Sequence, residues 1–386
     1  MAARRLPPFE PIRDSAEALR FAMKKRDEGA LFAVNHSGGK DSQAMLTKLR
    51  GMIPPDQLLV VHADLGRLED TGSWEHVQKL SGGLKSIVCR AEKDLLQMVR
   101  RRRAGLLQPS TKHPHGRPDV SPWPDSTYRQ CTSDLKRGPS TKATKKYADS
   151  HGFHIIVDAL GLRAQESPNR AKLAKLQTRD REHGVKSNQT GQVRQWYVWH
   201  PIHDLTEAEV WKIVKSSGHE AHPVYETGKT RAGCKLCILG NKRDLQIGAL
   251  HDPELYRDFV KLEQEVGHTV HYQSGKKIGL EEWTGIPVAV AMRAKGSPAE
   301  LARLVAQYVR PERQEQAPKG RRLPLVGDEP EVRAADIIRG AGAVKPKPSP
   351  EPRRPRQQVT ADDIIHGHGL GSVVDDAVRR AMKGLK

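Results

Sequence analysis

The sequence predicts an α/β protein built on a doubly wound parallel sheet, followed by a basic tail that does not fold compactly. Three observations carry this reading. Short apolar runs at 31–34, 58–63, 86–89 and 154–160 alternate with helical stretches, the pattern of strands covered on both faces. The first run is followed at once by a glycine turn, Ser37-Gly38-Gly39, and by the start of a helix over Asp41 to Leu49. Beyond residue 310 the composition turns to Pro, Arg, Lys, Glu and Gly without periodicity, as in 345–356.

Taken in order, residues 10–28 predict an amphipathic helix with Ala16, Leu19, Ala22 and Met23 on one face. The strand at 31–34 and the turn after it predict an anion site. Adjacent glycines let the backbone approach a ligand, and the helix's first N–H groups and positive dipole end point into the turn. Lys40 adds a mobile positive charge, and Ser37 and Ser42 add hydroxyls, so phosphate is the expected anion. Walker spacing does not fit, because Val34 stands where its first Gly belongs and Asp41 where its Ser/Thr belongs. The strand at 58–63 ends at Asp64-Leu65-Gly66, and a strand–helix–strand unit places the ligand crevice at the strands' carboxyl ends. Asp64 is there as a nucleotide or metal contact, or as a turn former.

The run 86–89 is a third strand, with Cys89 as a small buried hydrophobe. Four arginines at 100–103 start a basic loop through Lys112, His113, His115 and Arg117 to Trp123, either a lid or a polyanion contact. Residues 128–139 lead into a basic helix ending near Gly152. The strand at 154–160 releases Arg163 and Arg170 at the same rim as the glycine turn. Arginine suits a bidentate grip on an anion, and Glu166 is available to pair with either. A short strand at 196–199 precedes Thr206 and Glu209, which are spaced as a capping box. Residues 251–288 predict a helix and a small closing segment through Trp283. The expected organisation is a nucleotide-binding domain over 1–290, a helical extension over 291–310, a linker over 311–358 and a short helix over 359–386. Within the tail, 336–342 is echoed by 363–369.

With 386 residues the chain can bury a full core as one large domain or two. Its formal charge of +19 attracts polyanions, so DNA or tRNA is an expected partner, against the plainer reading of a solvated basic surface. Four cysteines in so long a chain are no disulfide framework, and a Cys-x-x-Cys in a reducing compartment binds metal or does redox chemistry. No apolar run reaches membrane-spanning length and the N-terminus lacks an apolar signal core, so a cytoplasmic location without membrane contact is expected.

Six motifs in this order resemble the phosphoadenosine phosphosulfate (PAPS) reductase family of the adenine nucleotide alpha-hydrolase (PP-loop) superfamily. That family includes sulfonucleotide reductases and the sulfur-handling subunit of bacterial DNA phosphorothioation systems. The resemblance covers residues 15–290. It rests on Ser37 to Ser42; Asp64, Leu65 and Gly66; Cys131 with Leu135, Lys136 and Pro139; Gly161, Arg163, Glu166, Ser167 and Arg170; Pro201, Ile202, Asp204, Leu205 and Thr206; and Gly233, Cys234 and Cys237. It implies ATP or a PAPS-like adenine nucleotide, with Mg2+, whose phosphates lie on Ser37, Gly38, Gly39, Lys40 and Ser42, with Asp41 also among the cofactor-binding residues. Asp64 would lie near the ribose or adenine. Lys136, Arg163 and Arg170 would lie near the anionic substrate end and, with Lys40, would form the catalytic set.

Cys131, Cys234 and Cys237 match cluster-ligand positions of members that carry a 4Fe-4S centre. Such centres usually take four thiolates, and three are present here. A zinc ion with His113 or His115 as fourth ligand is the alternative. The resemblance also implies a catalytic cysteine in a C-terminal motif, yet no cysteine follows Cys237, so reduction would need Cys234 or Cys237 as thiolate. Three functions stay open. The first is an ATP-using, AMP-forming enzyme handling sulfur in nucleic-acid modification, served by a sulfur donor or reductant protein. The second is a sulfonucleotide reductase, and the third a nucleotide-binding regulatory module without turnover. If the strands ending near Asp64 and Leu160 lie side by side, the three cysteines should meet at the nucleotide rim, with Cys89 outside.

Overall fold

The computed structural model describes residues 6, 8–273 and 276–309. The linker, the terminal helix and the echoed segments at 336–342 and 363–369 lie outside the described residues.

Helix α1 (Ser15–Asp27) starts where Asp14 caps it, its carboxylate accepting from Glu17 N at 2.8 Å. The buried positions are Ala18, Ala22 and Lys25, and Leu19 is exposed. The inner face is therefore turned from the expected one, onto two small residues that let the helix approach the sheet closely. Strand β1 (Leu31–Asn35), helix α2 (Lys40–Arg50), strand β2 (Leu58–Asp64), helix α3 (Ser73–Ser81) and strand β3 (Lys85–Arg90) follow. Helix α4 (Leu95–Leu107) contains the four arginines, which corrects the expectation that they open a loop. A capping box between Asp94 and Gln97 starts α4, and Leu95, Leu96, Val99 and Leu106 give it a buried face. Arginine is a good helix former, and Arg100 reaches Glu265 at 2.7 Å from the outer face.

After the loop come a single turn over Gln130–Thr132, a π-helical turn over Ser133–Arg137 and helix α5 (Gly138–Ser150). Then follow strands β4 (Ile155–Leu160), β5 (Leu176–Thr178) and β6 (Gln195–Trp199) and helix α6 (Glu207–Ser216), which opens with the expected Thr206–Glu209 capping box. Helix α7 (Lys242–His251) was not expected. Helix α8 (Pro253–Val266) precedes a closing segment over Leu280–Thr284, and helix α9 (Pro298–Tyr308) follows.

The sheet order is β3-β2-β1-β4-β6-β5, parallel except for the edge strand β5. From β1 the chain winds outward to β2 and β3, then returns to place β4 on β1's other side. This is the doubly wound arrangement, with its switch point between β1 and β4. β2 and β4 therefore flank β1 and are not adjacent, contrary to the premise set out for the cysteine loops. The alternation of side chains shows on β1: Phe32 and Val34 pack with Met45 and Leu49 of α2, and Leu31 and Ala33 pack on the opposite face with Ala148 of α5. A separate helical core joins α4, α7 and α8, and Ala291, Ala294, Leu304 and Val309 belong to it. Among the described residues no helix is long and apolar enough to cross a membrane.

Candidate functional site

At the switch point β1 ends and the chain turns through Ser37, Gly38 and Gly39 into α2. Gly38 has φ +81°, and a Cβ there would stand 3.3 Å from the His222 ring; one on Gly39 would stand 3.3 Å from the Tyr225 hydroxyl. Only glycine fits the first position without strain. Across the crevice a Cβ on Gly161, just past β4, would lie 3.2 Å from the Asp41 carbonyl, so the β4 end presses directly on the α2 N-terminus. The first N–H groups of α2 have no intrahelical partner. One of them, Lys40 N, donates to the Tyr225 hydroxyl at 2.9 Å. Burial pushes the Tyr225 hydroxyl up to about 12, so it stays protonated.

Lys40 is not the mobile charge its sequence context suggested. It is 3% exposed, donates to Thr230 O at 3.0 Å and pairs with Glu207 at 3.2 Å, with the rings of Trp211 and Tyr225 beside it. Asp41 accepts from Arg163 Nε at 2.5 Å. Glu166 is the partner of Arg170 and accepts from Arg163 N at 2.9 Å. Burial opposes ionisation of Glu166, and the Arg163 N–H and Arg170 charge outweigh it and hold the carboxyl below its ordinary range. Ser42 Oγ donates to Gly39 O at 2.8 Å and lies 3.5 Å from Ser37 Oγ. The glycine loop, Arg163 and Arg170 are thus brought together, and their charges are matched internally.

Under the loop lies a histidine group that the sequence reading did not single out. His36 Nδ1 accepts from Gly38 N at 3.1 Å, and its Nε2 is buried without a partner. Burial, with the neighbouring His76 and His62, pushes its pKa down to about 3. His62 goes the other way. Burial disfavours its charge, but the hydrogen bond and negative charge of Glu69, 3.2 Å away, raise it overall. His76 is pushed down to about 4 by burial and by His222, and its Nε2 is also a buried orphan. His222 touches Ser73 Oγ at 3.1 Å.

Asp64 ends β2 and lines a cleft of about 200 Å³ with Gly66, Arg67, Arg90, Lys93 and Asp94. Its carboxylate accepts from Gly66 N at 2.6 Å and from Arg90 Nε at 3.0 Å. Burial raises its pKa, but these contacts win and hold it below the usual range. The turn-forming role and an open neighbouring cleft therefore coexist at one residue.

The Cys234–Cys237 loop is bolted to the chain following β2. Cys234 bridges to Glu69, Asp70 N donates to Gly233 O at 2.7 Å, and Lys235 N donates to Leu68 O at 2.7 Å. A buried ion pair completes the joint: Lys229 Nζ reaches Asp70 Oδ1 at 2.6 Å and Oδ2 at 2.9 Å. Cys131 and Cys234 both feel the charge of Cys237, and Lys136 acts on both of them. Burial first, then Cys237, pushes Cys234 up to about 12 and raises Cys131, with Lys136 opposing. Cys89 stands apart, donating to His62 O at 3.4 Å. Among the described residues no group of three or more His, Cys, Asp or Glu is disposed to hold a metal ion. His113 sits in an exposed turn closed on Ser110, and His115 is exposed as well. As they stand, the three thiols do not fit a preformed iron–sulfur or zinc site.

The fold and this rim define a doubly wound α/β protein with an anion-receptive glycine loop at its switch point. Residues 32–239 match the phosphoadenosine phosphosulfate reductase domain, and the chain belongs to that family. It is similar to an uncharacterized 37.8 kDa protein in the gpa 5′ region of Escherichia phage 186. The two are 25% identical over 260 residues, 56% of this chain and 70% of the phage protein. Among solved structures it is similar to the PAPS reductase of Candida auris in a phosphate complex, with 13% identity over 57% of this chain and 88% of that one and a TM-score of 0.34. It is also similar to the NH3-dependent NAD synthetase of Campylobacter jejuni, with 11% identity, 66% and 92% coverage and a TM-score of 0.31. Likenesses this distant say nothing of ligand or reaction.

Proposed function

We propose that this chain is an adenine nucleotide-using enzyme that takes ATP at the β1–α2 loop, forms AMP and pyrophosphate, and activates an acceptor for sulfur chemistry in nucleic-acid modification. The observation that carries it is the loop at the switch point: a glycine turn and helix N-terminus facing a rim that holds Lys40, Arg163 and Arg170. Gly38, Gly39 and the α2 N–H groups would receive the β- and γ-phosphates, with Ser37 and Ser42 as further donors, and magnesium would enter with the triphosphate. Attack by an acceptor oxygen on the α-phosphorus breaks its bond to the bridging oxygen and leaves the acceptor adenylated. Pyrophosphate leaves with its charge held by the loop, and Arg163 and Arg170 steady the α-phosphate. A sulfur nucleophile from the donor then displaces AMP from the acceptor. The cleft beside Asp64 is assigned to the ribose or adenine. The net charge of +19 supports a nucleic-acid acceptor.

No step is assigned to a metal cluster, because the thiols do not fit one as placed. The Cys234-x-x-Cys237 pair, with Cys237 acting on both Cys234 and Cys131, supports a second reading, sulfonucleotide reduction with a PAPS-like ligand in the same loop. Incubating the full chain with ATP or PAPS, with and without DNA or tRNA, and resolving the products separates the two. AMP with pyrophosphate supports the proposal, sulfite release with a thiol reductant supports the second reading, and binding without turnover contradicts both.

A further inference from the structure

One exposed aromatic residue is held more firmly than solvent exposure alone would allow. Tyr128 is 63% exposed. Its turn is closed by Asp125, whose Oδ1 accepts from Thr127 N at 2.7 Å and Tyr128 N at 2.6 Å, and whose own N–H donates to Tyr128 O at 3.2 Å. The turn is anchored in turn by Trp123, 1% exposed, which donates from Nε1 to His268 O at 2.8 Å and stacks on Phe259. The guanidinium of Arg102 lies 5.2 Å from the Tyr128 ring centroid.

Close to it along the chain are Arg101, next to Arg102 in α4, and Lys136 and Arg137 of the π-helical turn, for whose side chains the described residues offer no hydrogen-bond or ion-pair partner, and Arg129, whose Nε donates to Ser126 O at 3.2 Å. The neighbouring carboxylates are exposed but engaged locally: Asp125 serves its own turn, and Asp134 accepts from Ser133 Oγ at 2.6 Å. A rigid ring backed by an arginine, with unpaired cations close to it along the chain, suits a flat, negatively charged chain. Stacked bases satisfy the ring, and phosphates satisfy the cations.

We propose that Tyr128 and Arg102 form a stacking platform for an unpaired base of a single-stranded nucleic acid, with Arg129, Lys136 and Arg137 along its phosphates. The surface rests on the nucleic-acid reading given above and adds which form of nucleic acid is bound and where. Tyr128 lies three residues before Cys131 in the chain.

Fluorescence anisotropy with a short labelled single strand, the matching duplex and polyglutamate, at several salt concentrations, tests this on the full chain. Tyr128→Ala is expected to weaken single-strand binding about tenfold, leave duplex binding and the salt slope near wild type, and be restored by Tyr128→Phe. Arg137→Ala is expected to lower the salt slope by about 1. A 2-aminopurine base in the strand should lose fluorescence on wild type and on Tyr128→Phe but not on Tyr128→Ala. Equal losses on strand and duplex, no loss with Tyr128→Ala, or competition by polyglutamate as strong as by the strand would overturn the platform. Failure of the wild-type chain to bind any oligonucleotide would remove the nucleic-acid reading itself, and the platform with it.

Discussion

The rim at β1 and β4 and the turns around Cys131 handle charge in opposite ways. At the rim Lys40 is matched by Glu207, Asp41 by Arg163 and Glu166 by Arg170, and one N–H of α2 is taken by Tyr225. Lys136, which acts on Cys131, and the exposed cations Arg101 and Arg137 have no such partners among the described residues. The difference separates a site whose shape is set before the ligand arrives from a surface whose charges await one. Preorganised groups act without reorganising at the moment of reaction, whereas unpaired surface cations speed encounter.

The largest effect is expected at the joint that ties the Cys234–Cys237 loop to the chain after β2. Lys229→Ala leaves Asp70 buried and uncompensated, so chemical denaturation should show a loss of about 3–5 kcal/mol. Lys136→Ala, on the other side of the comparison, should stay within about 0.5 kcal/mol of wild type. Equal losses would erase the contrast.

Acid reports on the rim. His36 has a folded pKa of about 3 against an ordinary 6.5, so the unfolded chain binds more protons between those values. Its contribution is complete above pH 6.5 and is lost as pH falls, by roughly 1.5 kcal/mol between pH 6.5 and 5. His62 opposes this trend, since a raised pKa adds stability at low pH that disappears as pH rises through the folded value. Denaturation across this range should therefore show a slope that His36→Asn flattens and His62→Asn steepens. A smaller effect belongs to Tyr225→Phe. Loss of one hydrogen bond should lower stability by about 1 kcal/mol, yet free the Lys40 N–H and tighten binding of inorganic pyrophosphate. Weaker pyrophosphate binding would make Tyr225 part of the anion site and not a cover over it.

Residues close in sequence were readable before the fold was known. The strand, glycine turn and helix at 31–50 carry period and turn chemistry within one short stretch, and the Thr206–Glu209 capping box is a four-residue signal. Misreadings came where local signals compete or vanish. Four adjacent arginines hide the apolar face of α4, and the three residues of β5 are too few to show a period. At the site the contiguous loop was found, but Tyr225, Glu207 and Lys229, the partner of Asp70, were not, because only the fold brings these three to it from more than a hundred residues away. His36 sits beside the motif, yet its role comes from a burial that no spacing announces.

In the proposed reaction every step requires the β1–α2 loop to hold a nucleotide. Calorimetric titration of the full chain with ATP and with PAPS, repeated on Lys40→Ala and Ser37→Ala variants shown by their melting to be folded, asks this directly. Saturable binding that either substitution weakens by roughly 1–3 kcal/mol is the expected result. Absence of binding to both nucleotides, or affinities the two substitutions leave unchanged, would contradict it.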